Sequence, residues 1–147
     1  MLSKCCHCLC SREYSALTRV LACYPQDGRP NPIPSRVQEL INWGIHDVER
    51  MRSIQEILNE RIQLDIDLNN LNNISVGMKV LCELLEKVRL LNNELSTTLA
   101  SFIVQLIRYK NPSFLLIAQS SIDQELNFTE TILLPVPVNR IINSFFH

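Results

Sequence analysis

A leucine-rich stripe in the second half of the chain constrains the fold more than any other feature of the sequence. Between residues 76 and 109, large apolar residues recur at intervals of mostly three or four positions, which is the spacing of one face of an α-helix. The members of this stripe are Leu81, Leu84, Leu85, Val88, Leu91, Leu95, Leu99, Phe102 and Leu106. The pattern predicts one long amphipathic helix, which Pro112 then terminates.

A second helical pattern comes before this stripe. Ser35 and Gln38 have the spacing of a capping box, which predicts a helix that starts near residue 36, and apolar residues then recur with a helical period. The asparagine-rich stretch 69–73 favours a turn between the two patterns. The sequence therefore predicts an all-α fold in which two long helices, over about 36–68 and 76–109, form an antiparallel hairpin with short flanking helices, as a coiled-coil-like bundle.

The first part of the chain has a different composition. A short amphipathic helix is predicted from Ser11 to Tyr24, before four prolines within residues 25–34 that favour an extended linker. Tyr14, Leu17, Leu21 and Tyr24 share one side of this helix, and Arg12, Glu13 and Arg19 take the other. We expect two parts: residues 1–34 as a cysteine-rich segment with this helix and the linker, and residues 35–147 as a helical-bundle domain.

Composition argues against several classes of function. The net charge is −1, so a nucleic-acid partner is not expected. The chain has 3 glycines, no phosphate-binding loop, no nucleophile elbow and no paired carboxylate site. We therefore expect no enzymatic activity. No apolar run reaches the roughly 18 residues that a transmembrane helix needs, and we expect a chain in the cytosol with reduced thiols.

The amino terminus contains the one motif with an informative chemistry. Four of the 6 cysteines lie within the first ten residues, at Cys5, Cys6, Cys8 and Cys10. This cluster resembles the membrane-proximal cysteine clusters that are S-acylated in many cytosolic proteins. Residue 2 is leucine, which excludes amino-terminal myristoylation, so that palmitoylation of several cysteines would have to supply the anchor. Two alternatives stay open: the cysteines bind zinc, or they are idle.

A narrower apolar stripe on the first long helix predicts a surface for a partner. We expect its residues Trp43, Ile54, Ile57 and Leu64 to contact another protein, because one neighbouring helix would leave them uncovered. The sequence thus predicts a non-enzymatic adaptor that S-acylation tethers to the cytoplasmic face of a cellular membrane, and it leaves a homo-oligomer open. The alternative is a soluble regulatory protein, or a small accessory protein of the viral type, in the cytoplasm.

Overall fold

The computed structural model describes residues 7–88 and 93–131, with side chains over 11–88 and 94–125. Within these ranges the chain forms six α-helices and no strand. The helices are α1 (His7–Ala22), α2 (Pro34–Gly44), α3 (Val48–Asp67), α4 (Leu71–Val88), α5 (Asn93–Arg108) and α6 (Pro112–Thr131). The predicted all-α bundle is confirmed. None of the described helices is long and apolar enough to cross a membrane.

The first of the two predicted long helices is interrupted, so the prediction of one continuous helix over 36–68 is wrong. Helix α2 ends at Gly44, and α3 begins at Val48. Between them Asp47 has an extended backbone, and its Oδ1 accepts hydrogen bonds from the backbone N–H groups of Glu49 at 3.0 Å and Arg50 at 3.2 Å. A side chain that satisfies the free N–H groups of a first turn starts a new helix.

Proline, rather than a serine cap, marks the start of α2. Pro34 occupies its first turn, where the missing N–H group costs nothing and the fixed φ suits a helix. Ile33 is the capping residue and makes no side-chain cap, so the predicted capping box at Ser35 is wrong. Pro112 similarly begins α6, and there Asn111 Oδ1 accepts a hydrogen bond from the N–H of Ser113 at 2.9 Å.

The second predicted long helix is also divided. Helices α4 and α5 are separate and pack against each other, and residues 89–92 between them lie outside the described residues. The asparagine-rich stretch lies mostly inside α4, and only residues 68–70 connect α3 to α4. Leu91 of the predicted stripe lies outside the described residues, and the other members of the stripe are buried. Its fully buried members are Leu81, Leu84, Leu85, Leu95, Leu99 and Leu106. Helices α2, α3, α4 and α5 thus occupy the two ranges in which two long helices were predicted.

Helix α4 lies at the centre of the bundle. It contacts α2, α3, α5 and α6, whereas α1 packs on α2 and α3. The approach of α3 to α4 is close at Gly77, because a Cβ atom there would lie 2.6 Å from Cγ1 of Ile62. Residues from α1 through α6 share one hydrophobic core. Helix α1 contacts two described helices where α4 contacts four, so part of its surface has no helical neighbour.

Candidate interaction surface

Helix α1 packs on the bundle with its small apolar residues. Ala16 and Val20 are fully buried one helical turn apart, and Cys23, directly after the helix, is fully buried too. The large apolar residues of the same helix point to solvent: Tyr14 is 64% exposed, Leu17 44% and Leu21 39%. Small side chains let two helices approach closely. Helix α1 therefore buries its stripe of small residues, here called the small stripe, and exposes its stripe of large residues, the large stripe, to solvent.

The arginines of α1 contact the bundle in this orientation. The Arg12 guanidinium lies 4.0 Å from the carboxylate of Glu49 at the start of α3. The guanidinium carbons of Arg19 and Arg50 lie 5.0 Å and 4.9 Å from the ring centroid of Trp43. Trp43 therefore joins α1, α2 and α3 through cation–π contacts. Arg12 and Arg19 thus both lie on the side of α1 that contacts the bundle.

An apolar groove runs between α1 and α3. We call it the α1–α3 groove; its volume is about 600 Å³. It is lined by Glu13, Tyr14, Leu17, Leu21, Ser53, Glu56, Ile57, Glu60, Arg61 and Leu64. Leu64 is 49% exposed and Ile57 is partly buried against the core. Large exposed apolar side chains that are contiguous and rimmed by polar residues are typical of a binding surface.

Three carboxylates and one guanidinium surround these apolar walls. Glu13, Glu56 and Glu60 are exposed, and no ion pair joins any of them to a described side chain. Arg61 is already engaged, because its Nε lies 3.1 Å from Asp65 Oδ2 and its guanidinium carbon lies 5.0 Å from the centroid of the Tyr24 ring. The rim of the groove is therefore acidic.

The four residues that sequence analysis assigned to a partner surface have different environments. Ile57 and Leu64 line the α1–α3 groove. Ile54 is fully buried in the core, so its side chain has no surface to offer a partner and belongs to the packing of α3. Trp43 is partly buried against the core and lies between the arginines of two helices. The structure therefore brings together only two of the four.

Tyr14, Leu17 and Leu21 were not predicted to belong to this surface. A usable signal was present, since Ala16, Val20 and Cys23 recur at helical spacing as a second apolar stripe along α1 and the residue that follows it. A helix with two apolar stripes and one packing surface must expose one of them. The small stripe is the better one for a close helix contact.

The amino-terminal cysteine cluster lies mostly beyond the structural description. Cys5 and Cys6 are outside the described residues, and Cys8 and Cys10 are in the first turn of α1 with undescribed side chains. The thiols of Cys23 and Cys82 are buried and free. Burial raises the pKa of Cys23 to about 12 and raises the pKa of Cys82 well above its ordinary value, so both are poor nucleophiles at neutral pH.

A buried carboxylate lies at the far end of α3. Asp65 is almost fully buried, and its ion pair with Arg61 joins residues one turn apart. Burial raises the pKa of Asp65 above its ordinary value, and the Arg61 guanidinium opposes this effect. Over the described residues, no group of three His, Cys, Asp or Glu side chains could form a metal site.

Comparisons of the chain with protein-family models, curated proteins and solved structures give no match.

Proposed function

We propose that this chain is a non-enzymatic interaction protein that S-acylated cysteines tether to the cytoplasmic face of a cellular membrane, and that binds a protein partner through the α1–α3 groove. The observation that carries the proposal is the exposure of Tyr14, Leu17 and Leu21 beside Ile57 and Leu64. Leaving large apolar side chains in water forgoes the stabilisation that burial provides. A partner that covers these side chains would provide the stabilisation that comes from burying them.

The position of the groove supports a link between tether and partner. The acylated residues would be Cys5, Cys6, Cys8 and Cys10, and α1 begins at His7. Tyr14 follows Cys10 by four residues, which corresponds to about 6 Å along a helix. Acyl chains on these cysteines would therefore bring the groove close to the membrane surface. A partner at the same membrane would then encounter the groove at a raised effective concentration.

The tether is tested by fractionation of cells that express the full chain or a variant in which Cys5, Cys6, Cys8 and Cys10 are all serine. We expect the natural chain in the membrane pellet, released by hydroxylamine, and the variant in the supernatant. Cys23 and Cys82 are left in place as internal controls, because both are buried. A soluble natural chain would contradict the tether and would favour the zinc-binding or idle alternatives for the cluster.

The partner surface is tested by proximity labelling with two matched variants. Leu17→Asp places a charge in the groove, whereas Leu116→Asp places the same charge on an exposed leucine of α6. We expect Leu17→Asp to lose labelled proteins that the natural chain and Leu116→Asp retain. Identical sets of labelled proteins for all three chains would contradict the proposed use of the groove.

A further inference from the structure

We infer that the α1–α3 groove binds an amphipathic helix of the partner, with an apolar stripe that fills the groove and lysine or arginine residues beside it. The inference rests on the proposed function and names the class of partner for that same surface. It is carried by three features of the described residues: the direction of the two helices that form the walls, the length of the apolar strip, and the charge of the rim.

Helices α1 and α3 run parallel along the groove. Arg12 approaches Glu49 near the beginning of both helices, and Tyr24 lies against Arg61 near the other end. The apolar residues span positions 14–21 on α1 and 57–64 on α3, a length of about 10 Å or two helical turns on each wall. Two parallel helical walls of this length suit a third helix that inserts residues at i, i+3 or i+4, and i+7.

The acidic rim of the groove favours a partner helix that carries positive charge. Glu13 lies on the α1 wall, and Glu56 and Glu60 lie one turn apart on the α3 wall. None of the three is in an ion pair with a described side chain, and the charge of Arg61 is balanced by Asp65. A helix with basic flanks would therefore meet unbalanced carboxylates on both walls, while an acidic helix would meet like charges.

The same carboxylates argue against two other occupants. A second copy of this chain, docked groove to groove, would bring its own acidic rim of Glu13, Glu56 and Glu60 close to the first rim, which is repulsive. An anionic lipid surface would also be repelled by this rim, although the exposed leucines could enter a bilayer. A basic helix is the occupant that satisfies both the apolar walls and the charge.

The test uses the purified full chain and two synthetic helical peptides of about 18 residues, long enough to form a helix. Both carry leucines at i, i+3, i+4 and i+7; one has lysines on its flanks and the other has glutamates at the same positions. We expect the lysine peptide to bind at least about tenfold more tightly than the glutamate peptide at low salt, with the difference shrinking as salt screens the rim.

Variants of the chain assign the effect to the groove. The double variant Glu56→Gln with Glu60→Gln removes charge at nearly constant volume, and we expect it to reduce the preference for the lysine peptide by several-fold. Leu17→Asp should abolish binding, while Leu116→Asp should leave it unchanged, with circular dichroism confirming that both variants are folded. Because Glu56 and Glu60 are exposed, their replacement should not affect folding.

Four results would overturn the inference: no binding of the lysine peptide, equal binding of both peptides, Leu17-dependent binding of the unacylated chain to phosphatidylserine vesicles, or Leu17-dependent dimerisation in sedimentation. The proposed function fails separately. If labelled partners in cells still depend on Leu17 while the peptides bind equally, only the basic-helix inference is wrong. If neither membrane association nor a Leu17-dependent partner exists in cells, the proposed function itself is wrong.

Discussion

Helices α4 and α1 place their large apolar side chains in opposite environments. In α4, Leu81 and Leu84 are fully buried, and four neighbouring helices surround the element. In α1, Leu17 is exposed while the smaller Ala16 and Val20 are fully buried. The difference shows that an apolar periodicity identifies which sides of a helix are apolar. The number and closeness of the neighbouring helices decide which of those sides is buried.

The largest difference between α4 and α1 should be in the free energy of unfolding that is lost when one leucine of each helix is truncated to alanine. Leu84→Ala removes a fully buried side chain and should lower the free energy of unfolding by about 2–5 kcal/mol. Leu17→Ala removes a half-exposed one and should change it by no more than about 1 kcal/mol. Urea denaturation of both variants measures the difference, and similar losses would show that α1 buries Leu17.

The contacts that orient α1 can be broken at Trp43. Trp43→Ala removes the ring that lies near the guanidinium groups of Arg19 and Arg50 and should cost about 2 kcal/mol. Trp43→Phe keeps an aromatic face and should cost less than half as much. The measurement is again the midpoint and slope of urea denaturation. A loss below about 0.5 kcal/mol for Trp43→Ala would mean that this ring does not fix α1 on the bundle.

The close packing of α3 on α4 should reverse the effect on stability that a Gly→Ala substitution usually has in a helix. In an open helix Gly→Ala stabilises by about 1 kcal/mol. At Gly77 the new Cβ would meet Cγ1 of Ile62 at 2.6 Å and the Tyr24 hydroxyl at 3.0 Å, so we expect Gly77→Ala to destabilise by about 1–3 kcal/mol. Thermal denaturation gives the sign, and a raised melting temperature would contradict the close approach of these helices.

The smallest expected effect is a pH dependence at Asp65. Its pKa is raised in the folded chain mainly by burial, so the folded state binds this proton more tightly than the unfolded state. The contribution of Asp65 to stability therefore increases as pH falls through its folded pKa towards its unfolded value. Relative to Asp65→Asn, the natural chain should gain stability between neutral pH and pH of about 4. A relative loss would mean that the ion pair with Arg61 outweighs burial.

Part of this architecture follows directly from the sequence. The stripe of α4 and α5 was recognisable because one strong apolar period coincides with burial of all its described members. The break at Asp47 was missed because apolar residues continue on both sides of it with nearly the same period, and a single cap interrupted the helix. Apolar periodicity does not reveal a helix break that a single capping residue produces.

The groove was only half predictable for a related reason. Ile57 and Leu64 lie on a secondary stripe of α3 that sequence periodicity identifies. The α1 wall depends on the distance between α1 and the bundle, which the small side chains of Ala16 and Val20 set together with the Trp43 contacts. Distances of this kind arise from packing among helices that are remote in sequence, and local pattern does not encode them.

The central claim, that α1 buries its small stripe and exposes its large one, is tested most directly by comparing Leu17→Asp with Val20→Asp in urea denaturation. The two residues are three positions apart on one helix. We predict that Val20→Asp loses more than about 3 kcal/mol or fails to fold, because it buries an unpaired charge, while Leu17→Asp stays within about 1 kcal/mol of the natural chain. The reverse order would place Leu17 in the core and would remove the α1 wall of the groove.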